Sequence, residues 1–192
     1  MFVVPSAHEL LARIPLVIET ERLTLRCPRA GDGVRVNAAV RESIAELRPW
    51  MHWAKEIAPV EVTERNMVES GEEFLQGKAM RYLIFLKGTD TLAGSTGLHH
   101  PFWEVPSFEI GYWVRSCYAG MGYATEAVIA QTEMAFTLLG ARRMQIICDS
   151  LNAASAAVAR RAGYQLEGVL RNSTRHHLTG ELRDEMVFSR VR

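Results

Sequence analysis

The stretch from Glu109 to Asp149 constrains the fold more than any other. "FEIGYWV" is strand-like, and "RRMQIICDS" is a near-continuous apolar strand. Between them Ala124, Ala127, Val128, Met134, Ala135 and Leu138 form one apolar helical stripe, ended by Gly140. Two strands joined through a helix cannot be a hairpin; they belong to a crossover, expected to be right-handed. The second strand, apolar throughout, belongs at a buried central position.

The flanking sequence fills in the architecture. "LVIETERLTLRCP" (Leu16–Pro28) alternates apolar and polar residues like one strand, and "GDGVRVNAAVRESIAEL" is helical. "RPWMHWAKEIAP" is a tryptophan-rich break, and "TERNMVESGEEFLQG" is a second helix with Thr63 as its cap. "RYLIFLKG", "TLAGSTGLHH" and "SFEIGYWVRS" make an antiparallel meander. After the central unit, "NAASAAVARRAG" is a helix capped by Asn152 or Ser150, with Arg160 and Arg161 in its last turn. "YQLEGVLRNS" and "RDEMVFSRV" close the chain as strands around Thr179–Gly180, leaving His176 and His177 on a solvated hairpin. The expected fold is a single α/β (α+β) domain over residues 1–192, with a mixed, mostly antiparallel sheet and a short N-terminal extension over 1–15.

Composition narrows the function classes. A net charge of +0 argues against direct nucleic-acid binding. No apolar run is long enough for a membrane span, and "MFVVPSAHELLARIPLV" lacks the basic start of a signal peptide. Cys27, Cys117 and Cys148 are widely spaced without a CxxC pattern, so no metal site is expected and the cytoplasm is the expected location.

Gly120 and Gly122 sit one residue apart where a strand hands over to a helix. There is no GxxxxGK[ST] loop, and a GxGxxG fingerprint fails because Thr125 stands at the third glycine position. What remains is either a tight turn or an anion site. In the second reading, amides of Tyr118–Thr125 cluster at a helix start, the glycines clear the approach, and the Thr125 hydroxyl adds a donor.

"IETERLTLR", "FEIGYWV", "GMGYATEA" and "NAASAAVARRAGYQLEG" occur in an order and spacing that resemble the GNAT acyl-CoA N-acyltransferases, most of all the RimJ/RimL type that acetylates ribosomal-protein N-termini. The resemblance covers nearly the whole chain from Leu16 onward. It implies that two parallel strands, Ser107–Arg115 and Arg143–Asp149, splay apart around the pantetheine arm of acetyl-CoA. Trp113, Val114 and Arg115 would border that arm. Gly120, Met121, Gly122, Tyr123, Ala124 and Thr125 would cradle the pyrophosphate, and Asn152 would contact a pantetheine amide. Cys117 stands where the family commonly has Gln or Arg, so Arg115 or Arg160 is expected to assist.

Acyl transfer from a thioester to an amine needs a base, an oxyanion donor and a donor for the departing thiolate. Ser155, one turn inside the last helix, inherits the last role because the tyrosine many relatives use is replaced by Ala159. Glu109 is the leading base, with His99 and His100 as rivals of more suitable pKa. No carboxylate stands near Thr174, where RimL-like enzymes carry a glutamate. Trp50 and Trp53, with His52, fall on the segment that lines the acceptor side in this family.

The function implied is acetyl transfer from acetyl-CoA to a primary amine, foremost a protein N-terminus, ribosomal or other. The assembly implied allows a homodimer. A polyamine, amino sugar or amino acid is the alternative acceptor, and an acyl-CoA-binding regulatory module is the alternative class.

Overall fold

The computed structural model describes residues 13–192; the first twelve residues of the expected N-terminal extension lie outside them. Eight strands form one sheet: β1 (Val17–Glu19), β2 (Leu23–Arg26), β3 (Met80–Leu86), β4 (Leu92–Phe102), β5 (Ser107–Val114), β6 (Arg143–Asp149), β7 (Gln165–Arg175) and β8 (Leu182–Val191). Their spatial order is β1-β2-β3-β4-β5-β6-β8-β7, and β5–β6 is the parallel pair among otherwise antiparallel neighbours. The longer helices are α1 (Gly33–Glu42), α3 (Val60–Leu75), α4 (Tyr123–Leu138) and α5 (Ala153–Arg161), with the short α2 (Ile44–Leu47) after α1.

Alternation along the strands sends side chains to two helical layers. Leu98, Ile110, Met144, Ile146 and Phe188 pack with Ala127, Val128 and Ala135 of α4 and Ala156 and Ala159 of α5. On the other face, Leu83 and Phe85 meet Val36 and Ala39 of α1 and Met67 of α3. The alanines of α4 and α5 let those helices lie close to the sheet, which suits a strand as apolar as β6.

The parallel pair is joined at only three positions, Ser107–Arg143, Phe108–Met144 and Glu109–Gln145. Beyond them β5 stays paired with β4 as far as Val114, and β6 stays paired with β8 as far as Asp149. Each strand follows its outer neighbour, so the inner edges part. A V-shaped gap opens there, lined by backbone N–H and C=O groups that a ladder would otherwise use.

Several local expectations give way to tertiary contacts. The segment expected as one strand folds into β1 and β2, because Glu126 of α4 grips the turn between them: it accepts from Thr20 Oγ1 at 2.6 Å and from the Arg22 amide at 2.9 Å. The first helix breaks at the fully buried Ser43, whose hydroxyl accepts from the Ser116 amide at 3.0 Å. Helix α3 starts at Val60 behind Pro59, not at Thr63. Proline suits a helix start, and the Thr63 hydroxyl is buried as acceptor of the Asn37 side chain at 2.9 Å. The tip of the hairpin is exposed as expected, but its two histidines are half-buried: His176 Nε2 donates to the Pro49 carbonyl at 3.1 Å, and the His177 ring lies 4.6 Å from that of His52. The far strands thereby reach across to the tryptophan-rich segment.

Candidate active site

The glycine pair leads into the site. Gly120 and Gly122 have φ of +79° and +82°, a region closed to most side chains, so the turn itself requires both glycines. Turn geometry therefore accounts for two glycines as readily as one, and what marks an anion site is the helix start behind them. Gly122 caps α4 without any capping side chain, and among the described residues the amides of Gly122, Tyr123, Ala124 and Thr125 have no acceptor. A Cβ on Gly120 would meet nothing within 4 Å, so the approach is open. Such a turn fits a pyrophosphate.

Arg22, which sequence reasoning passed over, holds this turn from outside. Its guanidinium donates to the Met121 carbonyl at 3.0 Å and pairs with Glu126 at 2.7 Å. Burial pulls the Glu126 carboxyl upward, but hydrogen bonds from Thr20 and Arg22 outweigh it and hold the group below the usual carboxylate range. The acid in the first turn of α4 is thus neutralised locally and leaves the helix start attractive to phosphate. Arg161 reaches the loop, with Nε 3.4 Å from Thr125 Oγ1. Arg160 instead stacks over Phe188, 5.4 Å from its centroid. Arg115 points toward α1: it pairs with Glu42, donates to the Leu92 carbonyl at 3.1 Å and lies over Tyr118. Trp113 and Val114 occupy the last two positions of β5 beside the gap.

At the mouth of the gap stands Ser155. Asn152 Oδ1 accepts from the Ser155 amide at 3.0 Å, so of the two expected caps it is Asn152, not Ser150, that caps α5. Ser155 Oγ lies 2.9 Å from the Tyr112 hydroxyl, and that hydroxyl donates to the Ser155 carbonyl at 3.1 Å. Burial pushes the Tyr112 pKa up to about 12, so the phenol keeps its proton at neutral pH. With the phenolic proton directed at the carbonyl, the serine hydroxyl donates to the phenolic oxygen and can turn from it toward an incoming acceptor. Sequence reasoning missed Tyr112; the only signal was its place in "FEIGYWV", on the strand bordering the gap.

A cavity of about 460 Å³ continues from Ser155, Tyr112 and Asn152 through the gap to the opposite face of the sheet. There it is walled by Trp50 and Trp53, both partly exposed, and by Trp113, whose ring centroid lies 5.9 Å from that of Trp53. His99 lines it too. Gly97 and Gly111 face each other two residues along from His99, and a Cβ on them would come within 3.2 and 3.3 Å of its Nε2, so the imidazole lies against bare backbone beside the gap. Burial, then the charges of Arg81 and His100, lower the His99 pKa, which keeps the ring neutral and able to accept a proton. His100, at φ +49°, turns outward and is exposed. Glu109 sits opposite His99 where β5 and β6 are still paired, its carboxylate accepting from Gln145 Nε2 at 3.3 Å. Among the described residues no group of three or more His, Cys, Asp or Glu could hold a metal, and no helix is long and apolar enough to cross a membrane.

This geometry has relatives. The model of the acetyltransferase (GNAT) domain matches residues 22–165. An uncharacterized N-acetyltransferase, p20 of Bacillus licheniformis, is 31% identical over 126 residues, covering 65% of this chain and 70% of its own. The crystal structure of the microcin C7 self-immunity acetyltransferase, with acetyl-CoA and AMP, superposes with a TM-score of 0.86 at 22% identity, covering 95% of this chain and 99% of that one. The ribosomal L7/L12 alpha-N-protein acetyltransferase RimL in complex with coenzyme A gives 0.84 at 25% identity, covering 91% and 97%.

Proposed function

The chain belongs to the GNAT acetyltransferase family, and on that premise we propose that it moves the acetyl group of acetyl-CoA to the α-amine of a protein N-terminus. It is an acetyl-CoA-dependent N-acetyltransferase; the choice of acceptor and the residue roles are our reading. One observation carries it: a single cavity runs from the hydroxyl pair of Ser155 and Tyr112, through the gap, to a neutral histidine and a tryptophan wall on the far side. Thioester and amine can therefore approach from opposite faces of the sheet.

In this mechanism the amides of Gly122–Thr125 bind the pyrophosphate, with Arg161 and Arg22 flanking it. Strand-edge groups of Ile110–Val114 take the pantetheine amides, helped by Asn152. His99 Nε2 accepts the proton of the incoming amine as the C–N bond forms. As the C–S bond breaks, Ser155 Oγ–H stabilises the thiolate, and Tyr112 keeps that hydroxyl oriented. The start of α5 adds positive potential at the same point. A thiolate of pKa near 8.5 needs this much help and no strong acid.

The likeness to RimL favours an N-terminal amine, which Trp50, Trp53 and Trp113 would grip along the first residues. The test is incubation with acetyl-CoA and peptides carrying free or blocked N-termini, followed by mass-spectrometric location of the acetyl group. Modification of free N-termini supports the reading. Turnover confined to polyamines, amino sugars or amino acids overturns it.

A further inference from the structure

One row of the sheet runs from β3 to the gap: Arg81 lies opposite Gly97 of β4, and Gly97 lies opposite Gly111 of β5. Neither glycine raises a side chain, so the floor between Arg81 and the gap is bare backbone with the His99 ring leaning over it. Arg81 lines the cavity at the far end of this trough. Arg81 is half-buried, and among the described residues its guanidinium has no hydrogen-bond or ion-pair partner. Glu73, exposed in the last turn of α3, acts on it only through space. The carboxylates lining the cavity, Glu56 at the exposed rim and Asp149 at the end of β6, do not pair with it either. Every other arginine named above is engaged: Arg22 by Glu126, Arg115 by Glu42, Arg160 by Phe188 and Arg161 by Thr125. A half-buried guanidinium facing a cavity without a counter-ion is placed to pair with an anion that arrives with the ligand.

We propose that Arg81 receives a side-chain carboxylate of the acceptor, making the enzyme selective for amines that carry an acidic group one residue away. The proposal rests on the cavity being the acceptor site. Strands lie about 4.8 Å apart, so the Arg81 and Gly111 backbones are separated by roughly 10 Å. The arginine side chain spans part of that, leaving about 5–8 Å between guanidinium and an amine held at the gap. Successive residues are about 3.8 Å apart along a chain, so this is the reach from an N-terminal amine to an Asp or Glu side chain on the second residue. An amino acid's own α-carboxylate is too close to its amine to span it. The planar fork of arginine suits a carboxylate in two-point contact.

The test compares kcat/KM of the wild-type enzyme for peptides differing only in Asp or Asn, or Glu or Gln, at the second residue. Free aspartate and glutamate run alongside. Acidic peptides should be preferred by roughly ten- to a hundredfold, carried mainly by KM. Arg81→Gln should collapse the preference toward one, and Arg81→Lys should keep part of it. Equal kcat/KM for acidic and amide peptides in the wild-type enzyme overturns the carboxylate site and leaves the N-terminal reading standing. Turnover of free aspartate or glutamate alone overturns both the one-residue spacing and the N-terminal reading. A displaced pH profile in Arg81→Gln with the acidic preference intact makes the residue a modulator of His99 and overturns the proposal.

Discussion

Replacing Gly122 by valine tests whether the turn before α4 binds a ligand or merely turns the chain. Gly122 has φ +82°, where a residue with a Cβ is strained by about 1–2 kcal/mol, more for a branched one. The new Cβ would lie 3.3 Å from the Arg22 guanidinium, and its methyls would push against the group that holds Met121 and Glu126. The strain alone should lower Tm by a few degrees, given about 2–4 °C per kcal/mol for a chain of this size. If the amides of Gly122–Thr125 bind phosphate, disturbing them costs at least one charged hydrogen bond, about 1.5–3 kcal/mol, or roughly ten- to a hundredfold in Kd for CoA. Gly140→Ala is the control: φ there is +64°, nothing lies within 4 Å of its Cβ, and it follows the opposite end of α4. Both variants should lose stability, but only Gly122→Val should lose CoA affinity in titration calorimetry. An unchanged Kd in a folded Gly122→Val enzyme would refute the phosphate-loop reading.

Ser155→Ala should lower kcat by roughly ten- to a thousandfold with little change in CoA affinity; weaker binding with kcat preserved would reduce the serine to a pantetheine contact. Tyr112→Phe removes the partner 2.9 Å from Ser155 Oγ and should lower kcat less than Ser155→Ala does, measured by thiol release. A larger loss than in Ser155→Ala would make Tyr112 the principal donor. His99 has a lowered pKa, so it is neutral at neutral pH and gains its proton only below the ordinary histidine value of about 6.5. The acidic limb of kcat should therefore bend below that value, and His99→Gln should abolish the bend. Glu109→Gln, whose carboxylate is held by Gln145 away from the cavity, should leave it in place. A bend lost in Glu109→Gln and kept in His99→Gln would transfer the base to the carboxylate.

Sequence alone determined the features whose cause is local. The strand–helix–strand unit from Glu109 to Asp149, the Asn152 cap and the glycine turn each follow from periodicity, a hydrogen-bonding side chain or a backbone angle available to few residues. The place of Ser155 in the first turn was legible for the same reason, because a cap fixes the residues of the turn behind it. Tertiary structure decided whatever depends on partners distant in the chain. Thr20 and Arg22 turn between two short strands because Glu126, about a hundred residues on, binds them. Arg160 and Arg161 are adjacent, yet helical rotation sends one to Phe188 and the other to Thr125. Arg81 reads as an ordinary strand residue until the sheet register aligns it with Gly97 and Gly111 and leaves its charge facing the cavity without a partner. Tyr112 meets Ser155 only because β5 follows β4 away from β6. A sequence encodes its local conformational preferences directly, but burial and charge compensation are set by the register of strands and the rotation of helices, which exist only once the whole sheet has formed.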